Sequence, residues 1–280
     1  MGIFSNLFKA NNKNNVPAVM DDNMSTAADT SENMSFDVSN VQGIGDREQQ
    51  EDSFAVLNVG DVKLRKTQGL FAVVADGMGG MENGKFASEM VIDYVCELFR
   101  LSENIAYASA LVDELPAVNN EIFNYFNGRS GSTLVAVRIF EGKLQWVSVG
   151  DSAIFIMRNG GVFQLNKEHA FINDLYEKEL KETVICRERA ENHEDAPRLT
   201  SFVGMDNLKE IDYNKRLLKL QKGDTLLLCS DGISGVLTPA EILEALSLEA
   251  TESCRMLETF VLEKCVPEQD NYTGIVIRCR

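Results

Sequence analysis

Residues Phe71-Ala72-Val73-Val74-Ala75 run straight into Asp76-Gly77-Met78-Gly79-Gly80, and no other stretch limits the fold so tightly. Five consecutive apolar residues with β-branched members have the length of a buried strand and are too few for a helix. Asp76 therefore stands where a stiff element leaves the core. Gly77, Gly79 and Gly80 admit backbone angles closed to other residues and let a ligand approach the main chain. Beyond the turn, Ala87, Val91, Tyr94, Val95 and Leu98 share one helical face, so an amphipathic helix follows. Two nucleotide-binding readings fail here. Gly79 to Lys85 has the spacing of a phosphate loop, but Phe86 replaces the hydroxyl residue that would ligate magnesium. A dinucleotide fingerprint fails because Glu82 stands where its third glycine belongs. What survives is a metal-binding carboxylate at a strand end with a glycine carbonyl beside it. A tight turn with a solvated aspartate is the competing reading, and one Asp-Gly pair alone favours the turn.

A chain of 280 residues, 44% apolar and 25% charged, has the balance of an ordinary globule with a sizeable core. A net charge of -16 argues against a nucleic-acid partner, which selects a basic face. It suits carboxylates gathered around cations, and equally a solvated acidic surface. The six cysteines (Cys96, Cys186, Cys229, Cys254, Cys265, Cys279) form no C-x-x-C pair, and none is followed six positions later by arginine. The thiolate phosphatase arrangement is therefore missing, and a reducing, cytoplasmic compartment is expected. No apolar segment approaches the ~18 residues of a transmembrane helix.

Residues 1–34, rich in Asn, Ser, Asp and Met, read as a disordered N-terminal tail. Within it Ile3, Phe4, Leu7 and Phe8 share a helical face near Lys9 and Lys13, which suits a weak membrane or partner anchor or a frayed terminus. A signal peptide and a myristoylation site are both excluded, the latter because Asn6 replaces the required hydroxyl residue.

Residues 35–280 read as one folded unit. A strand through Phe36 and Val38 is followed by Gly45 to Ser53, then a strand through Phe54 and Val56. Val62 to Leu64 and Gly69 to Ala75 are expected to continue the sheet as hairpin-connected strands. Helices follow over about 84–101 and 104–126, the second either kinked or divided at Pro116. Ser132 to Phe140, Leu144 to Val149, Ala153 to Arg158 and Val162 to Leu165 form a run of strands. Their short turns predict antiparallel pairing between neighbours, Gly150-Asp151-Ser152 included. The charged stretch at about 166–215 reads as a flap, helical in part from Asn173 to Glu191. Thr225 to Cys229 is a second apolar strand that runs into Asp231-Gly232. Thr238-Pro239-Ala240-Glu241 is a capping box that starts a helix. Another helix covers about 252–265, and Asp270-Asn271 opens a last strand from Thr273 to Cys279.

Asp52, Asp76, Asp151, Asp231 and Asp270 each flank an apolar run. Like charges gathered in one place repel unless cations neutralise them. Hard divalent ions take oxygen ligands and retain waters, and a pair of them can activate water against a phosphoryl group.

The ordered set of R-x-x-x-E-D at 47–52, D-G-M-G-G at 76–80, S-G-S-T at 130–133, G-D-S at 150–152, C-S-D-G at 229–232 and D-N-x-T at 270–273 resembles the metal-dependent Ser/Thr protein phosphatases of the 2C type, the PPM family. The resemblance covers about 36–280, and Met78 places it with the bacterial branch. It implies an α+β fold, two face-to-face antiparallel β-sheets flanked by helices in an α-β-β-α sandwich. It also implies a protein-serine/threonine phosphatase that uses two Mn2+ or Mg2+ ions, with a third, weaker one, and a metal-activated water. By motif, Asp76 bridges two metals with the Gly77 carbonyl on one of them. Asp52, Asp231 and Asp270 complete the shell, Glu51 matches the neighbouring acid, and Asp151 belongs to the third ion. Arg47 holds the substrate phosphate, for which its planar donor fork is suited. With Met78 in place no side-chain general acid is evident. Glu168-His169-Ala170 and Leu199 to Gly204 depart from the family pattern, which leaves specificity open. The expected partners are phosphoserine and phosphothreonine proteins and a Ser/Thr protein kinase whose action is opposed, with the chain a monomer. Asn192-His193-Glu194 echoes calcineurin-like enzymes, but His169 and His193 are the only histidines, and no D-x-D pair exists for an aspartyl-phosphate route. A pseudophosphatase that binds phosphoproteins without turnover is the alternative; a complete set of aspartates with Arg47 weighs against it.

Overall fold

The computed structural model describes residues 34–78, 82–101 and 107–280. Residues 1–33 of the stretch read as a tail, the anchor set Ile3 to Phe8 within it, and Gly79-Gly80 of the glycine turn lie outside the described residues, whereas Met34, read as the last residue of the tail, is buried against the core between the sheets. Strand β3 (Leu70–Ala75) is buried along its whole length. Successive side chains on a strand point to opposite faces. Phe71, Val73 and Ala75 pack beneath helices, while Leu70, Ala72 and Val74 meet a second sheet. Burial on both faces is why this strand is apolar throughout and does not alternate.

The first sheet has the order β10 (Asp212–Tyr213), β7 (Lys143–Val149), β6 (Leu134–Phe140), β3, β2 (Ser53–Leu57), with β11 (Leu218–Lys219) also on β7. The second has the order β1 (Phe36–Gly43), β13 (Tyr272–Cys279), β12 (Thr225–Cys229), β8 (Ala153–Arg158), β9 (Gly161–Gln164). Their pairings are antiparallel. Between the sheets lies a core that includes Ile154, Ile156, Leu226, Leu228, Ile275 and Ile277. Helices α2 (Glu82–Leu101) and α3 (Tyr107–Phe126) cover the outer face of the first sheet with Val91, Phe99, Leu111 and Ile122. After the short helix α6 (Asp231–Ser234), helices α7 (Pro239–Leu246) and α8 (Ala250–Glu263) cover the second with Ile242, Leu246, Leu257 and Val261. The result is the four-layer α-β-β-α arrangement implied by the resemblance.

Four local expectations need correction or completion. Val62 to Leu64 belongs to a helix, α1 (Val62–Thr67), because the Asp61 side chain accepts the Leu64 N–H and caps it. Buried Arg65 then ties that helix to the Val59 carbonyl. β7 and β8 are not a hairpin: one pairs with β6 and the other with β12, so Gly150-Asp151-Ser152 crosses from sheet to sheet. Gly150, at φ +99, makes that corner. The run from Ser132 to Phe140 breaks at Thr133, since Gly131–Ser132 (β5) pairs with Gly77–Met78 (β4). Helix α3 continues through Pro116 without division.

The flap carries α4 (Phe171–Glu179) and α5 (Arg187–Glu191), and its last part adds β10 to the sheet edge. Its base is fixed near the middle of the fold. Ser132 and Val203 form a two-bond bridge, each N–H donating to the other's carbonyl at 2.9 Å. The buried Asn119 amide accepts the Gly204 and Met205 N–H groups and donates to the Met205 carbonyl.

Candidate active site

Strand register gathers the aspartates at one end of the sandwich. In the first sheet Ser53 faces Ala75, so Asp52 and Asp76 leave adjacent strands together. Leu134 faces Val149, which brings Thr133, Gly150 and Asp151 to the same edge. In the second sheet Cys229 faces both Ala153 and Gly274, placing Asp231 beside the 151–152 crossover and the start of β13. Gly43 faces Tyr272, so the segment holding Arg47 meets Asp270. Two crossovers between sheets, residues 44–52 and 150–152, thus run across this one end.

Short-range hydrogen bonds hold the carboxylates in place. Ser230 Oγ donates to Asp52 Oδ2 at 2.8 Å and accepts the Thr273 N–H at 3.0 Å, joining the two sheets through one hydroxyl. The Asp76 N–H donates to Thr133 Oγ1 at 2.9 Å, and the Asp76 carbonyl accepts from the Thr133 N–H and from Ser132 Oγ. Thr133 Oγ1 lies 2.7 Å from Ser152 Oγ, coupling the Asp76 strand to the Asp151 crossover. Asn271 Oδ1 accepts the Glu51 N–H at 2.7 Å, and its amide donates to the Ile44 and Gln49 carbonyls. Arg47 donates to Asp270 Oδ2 at 2.7 Å, and both side chains are about half exposed. At Gly77 a Cβ would lie 2.1 Å from the Gly84 carbonyl oxygen and 2.7 Å from that of Glu51, so only glycine fits this approach of turn to helix.

The electrostatics follow from burial. Desolvation pushes the Asp52 carboxyl up to about 6 and, with Asp231 adding to it, that of Asp151 up to about 7. Burial raises Asp76 well above the carboxylate range, with Asp52, Asp231, Asp151 and Asp270 all pushing the same way. Asp231 is raised by burial and then by Asp270. Arg47 is raised, first by its hydrogen bond to Asp270 and then by that carboxylate's charge.

The site leaves buried oxygens without partners: among the described residues Asp52 Oδ1, Asp231 Oδ1 and Glu51 Oε1 make no hydrogen bond. Buried polar atoms are ordinarily satisfied, so three orphaned carboxylate oxygens at one place fit a group that accepts their lone pairs. Among the described residues no three His, Cys, Asp or Glu side chains form a preassembled cage. A hard ion that keeps several waters needs none. The oxygen-only donor set suits magnesium or manganese and not a soft metal.

Residues 45–264 match the sequence profile of protein phosphatase 2C. The chain belongs to the protein phosphatase 2C family. Over 228 residues it is 29% identical to the serine/threonine phosphatase Stp of Listeria innocua, covering 78% of this chain and 88% of that protein. It is 30% identical over 209 residues to the serine/threonine protein phosphatase PstP of Mycobacterium tuberculosis, covering 72% of this chain and 39% of that one. Among solved structures, the serine/threonine phosphatase of S. agalactiae matches with a TM-score of 0.71 at 26% identity, covering 87% of this chain and 99% of that one. The catalytic domain of PstP, in complex with two manganese ions, matches with a TM-score of 0.69 at 26% identity over 88% and 99%.

Within this protein phosphatase 2C fold, Arg47, Asp52, Asp76, Gly77, Asp151, Asp231 and Asp270 come to one end. The histidines do not join them as a metal set. His193 sits in the flap against the Phe171 ring, and buried His169 accepts the Gly150 N–H at 3.0 Å. Sequence reasoning gave no role to Ser230, Ser132, Thr133, Ser152, Asn271 or Thr273. Each lies inside one of the short motifs, where Ser, Thr and Asn read as turn residues.

Proposed function

We infer that this phosphatase 2C protein performs its hydrolysis at the aspartate end of the sandwich. The chain is a metal-dependent protein serine/threonine phosphatase, a phosphomonoester hydrolase of the bacterial PPM type acting on phosphoproteins. The observation that carries the assignment to this end is the set of orphaned buried oxygens on Asp52, Asp231 and Glu51. Asp76, the Gly77 carbonyl, Asp52, Asp231 and Asp270 would hold two manganese or magnesium ions, and Asp151 with Asp231 a third. When bound, such ions lower the pKa of water and neutralise charge on phosphoryl oxygens.

The chain's own groups do the rest. Ser230 and Thr133 hold Asp52 and the Asp76 backbone in fixed positions, so the acidic site is preorganised. Arg47 is exposed at the rim and can exchange Asp270 for a substrate phosphate, a dianion matched to its donor fork. Met78 offers no proton to a leaving group. We take phosphoserine and phosphothreonine proteins as substrates, with a Ser/Thr kinase opposed. Four cysteines buried as free thiols support a reducing, cytoplasmic compartment. No described helix is long and apolar enough to cross a membrane.

We take the catalytic domain to span residues 35–280, with Met34 packed against its inter-sheet core, and to act as a monomer. The deciding experiment is hydrolysis of an aryl phosphate with manganese, with and without a chelator. Activity that vanishes with chelator and returns with metal is expected; undiminished metal-free turnover would overturn the reading. Phosphopeptide binding without any turnover would favour a pseudophosphatase.

A further inference from the structure

Beside the catalytic turn, outside the aspartate cluster, lies a cavity of about 330 Å³ walled among the described residues by Asn83, Phe86, Tyr125, Phe126 and Arg129. Its aromatic rings pack edge to face: Phe86 lies 5.4 Å from Tyr125 and 5.9 Å from Phe126, centroid to centroid. Phe126 is buried, yet Phe86 is 40% exposed and Tyr125 58% exposed. Two partly exposed rings therefore share an open hollow with the polar groups of Asn83 and Arg129, a mixed lining that suits side chains. Arg129 is exposed, and its contact among the described residues is a long one, Nε to the Phe126 carbonyl at 3.5 Å. On a chain of net charge -16, a guanidinium with no carboxylate partner among the described residues, set beside an aromatic wall, is suited to receive an anion.

The cavity wall is tied to the segment that leaves the site. Ser130, next to Arg129 and buried, directs its hydroxyl at the Met78 carbonyl (2.8 Å) and the Asn83 carbonyl (2.9 Å). One residue thus fixes the cavity wall to the strand that leaves Asp76. Met78 lies two residues past Asp76, about 7 Å of extended backbone. A peptide with its phosphoresidue at the aspartates reaches the cavity with side chains roughly two to four residues away.

We propose that this cavity is a substrate subsite that takes an apolar side chain flanked by a carboxylate, the apolar group on Phe86 and Tyr125 and the carboxylate on Arg129. The proposal rests on the phosphatase site being at the aspartate end. It makes Arg129 a specificity-determining residue that touches no reacting atom.

The test uses the full chain with manganese and phosphothreonine peptides carrying Leu-Glu two, three or four residues away on either side. Matched peptides carry Ala-Gln, and an aryl phosphate too small to reach the cavity serves as control. In at least one register Leu-Glu should raise kcat/KM by about tenfold, the size of a charge-assisted contact at a partly exposed site. Arg129→Ala should remove that gain, Tyr125→Ala should reduce it, and both should leave the aryl phosphate rate unchanged. Equal rates in every register, or an Arg129→Ala loss shared by the aryl phosphate, would overturn the subsite. A gain from a second phosphate but none from glutamate would overturn the carboxylate assignment. Anisotropy with a non-hydrolysable phosphonate in place of the phosphothreonine separates the two readings. Arg129-dependent binding without aryl phosphate turnover keeps the subsite and sinks the activity. Aryl phosphate turnover with no flank effect on rate or binding does the reverse.

Discussion

Thr133 shows how much of this site rests on uncharged residues. Its hydroxyl accepts the Asp76 N–H while touching Ser152, and it is buried. Thr133→Val keeps the shape and leaves a buried N–H unpaired, so unfolding in denaturant should show a loss of about 1–3 kcal/mol. A fall in kcat should accompany it, because Asp76 loses its anchor; an unchanged kcat would mean Asp76 is held by its strand alone. Arg47 makes the opposite case. Its ion pair with Asp270 is solvent-exposed, so Arg47→Ala should change stability by no more than about 0.5 kcal/mol. KM for a phosphopeptide should rise about tenfold with metal binding intact. Loss of metal in that variant would remove Arg47 from the phosphate. The aspartates were readable in the sequence because each ends or begins an apolar run, where a charge is conspicuous. The hydroxyls were not, because Ser and Thr near Gly and Asp look like ordinary turn residues.

Elements were read well where periodicity was strong and poorly where a short connection decided the path. Strands β3 and β12, buried on both faces, announced themselves as unbroken apolar runs. So did α7, whose capping box at Thr238 and Glu241 formed as expected. The crossover at Gly150 was misread because three residues between strands look the same whether they join neighbours or switch sheets. What distinguishes them is Gly150 at φ +99, where an added Cβ would lie 2.7 Å from Thr133 Cγ2, a constraint absent from the sequence. The correction matters for Asp151. Lying on a crossover and not in a hairpin, it faces the end of both sheets, yet at the edge of the cluster. Asp151→Asn should therefore leave two manganese ions bound by calorimetry while kcat falls. The fall should be smaller for an aryl phosphate, whose leaving group needs little protonation, than for a phosphothreonine peptide. Equal losses on both substrates, or none, would reduce Asp151 to a turn cap.

At the scale of the whole molecule, the fold concentrates repulsion at one end and stabilises itself elsewhere, through three apolar cores. The metal-free protein relieves the repulsion by holding protons, with Asp52 raised to about 6 and Asp151 to about 7 against an ordinary 3.8. A carboxyl whose pKa is raised by folding contributes stability below its unfolded pKa and loses it as pH climbs through the folded value. Metal-free stability should therefore decline from about pH 4 upward and level off once the pH exceeds about 7. His169 has the opposite sign: burial lowers its pKa from 6.5, so it loses stability only as pH falls below that value. A scan from pH 6.5 to 8 separates the two. Divalent ions bind the ionised carboxylates and displace those protons, so their affinity rises over the same interval. Melting temperatures with manganese at about a hundred times its Kd should exceed those in chelator by about 5–10 °C near pH 8. The gap should narrow toward pH 6.5 as protons compete for the same oxygens. A gap that stays constant across the scan would mean that the carboxyls are already ionised in the free protein, and that strand ends alone hold five negative charges together.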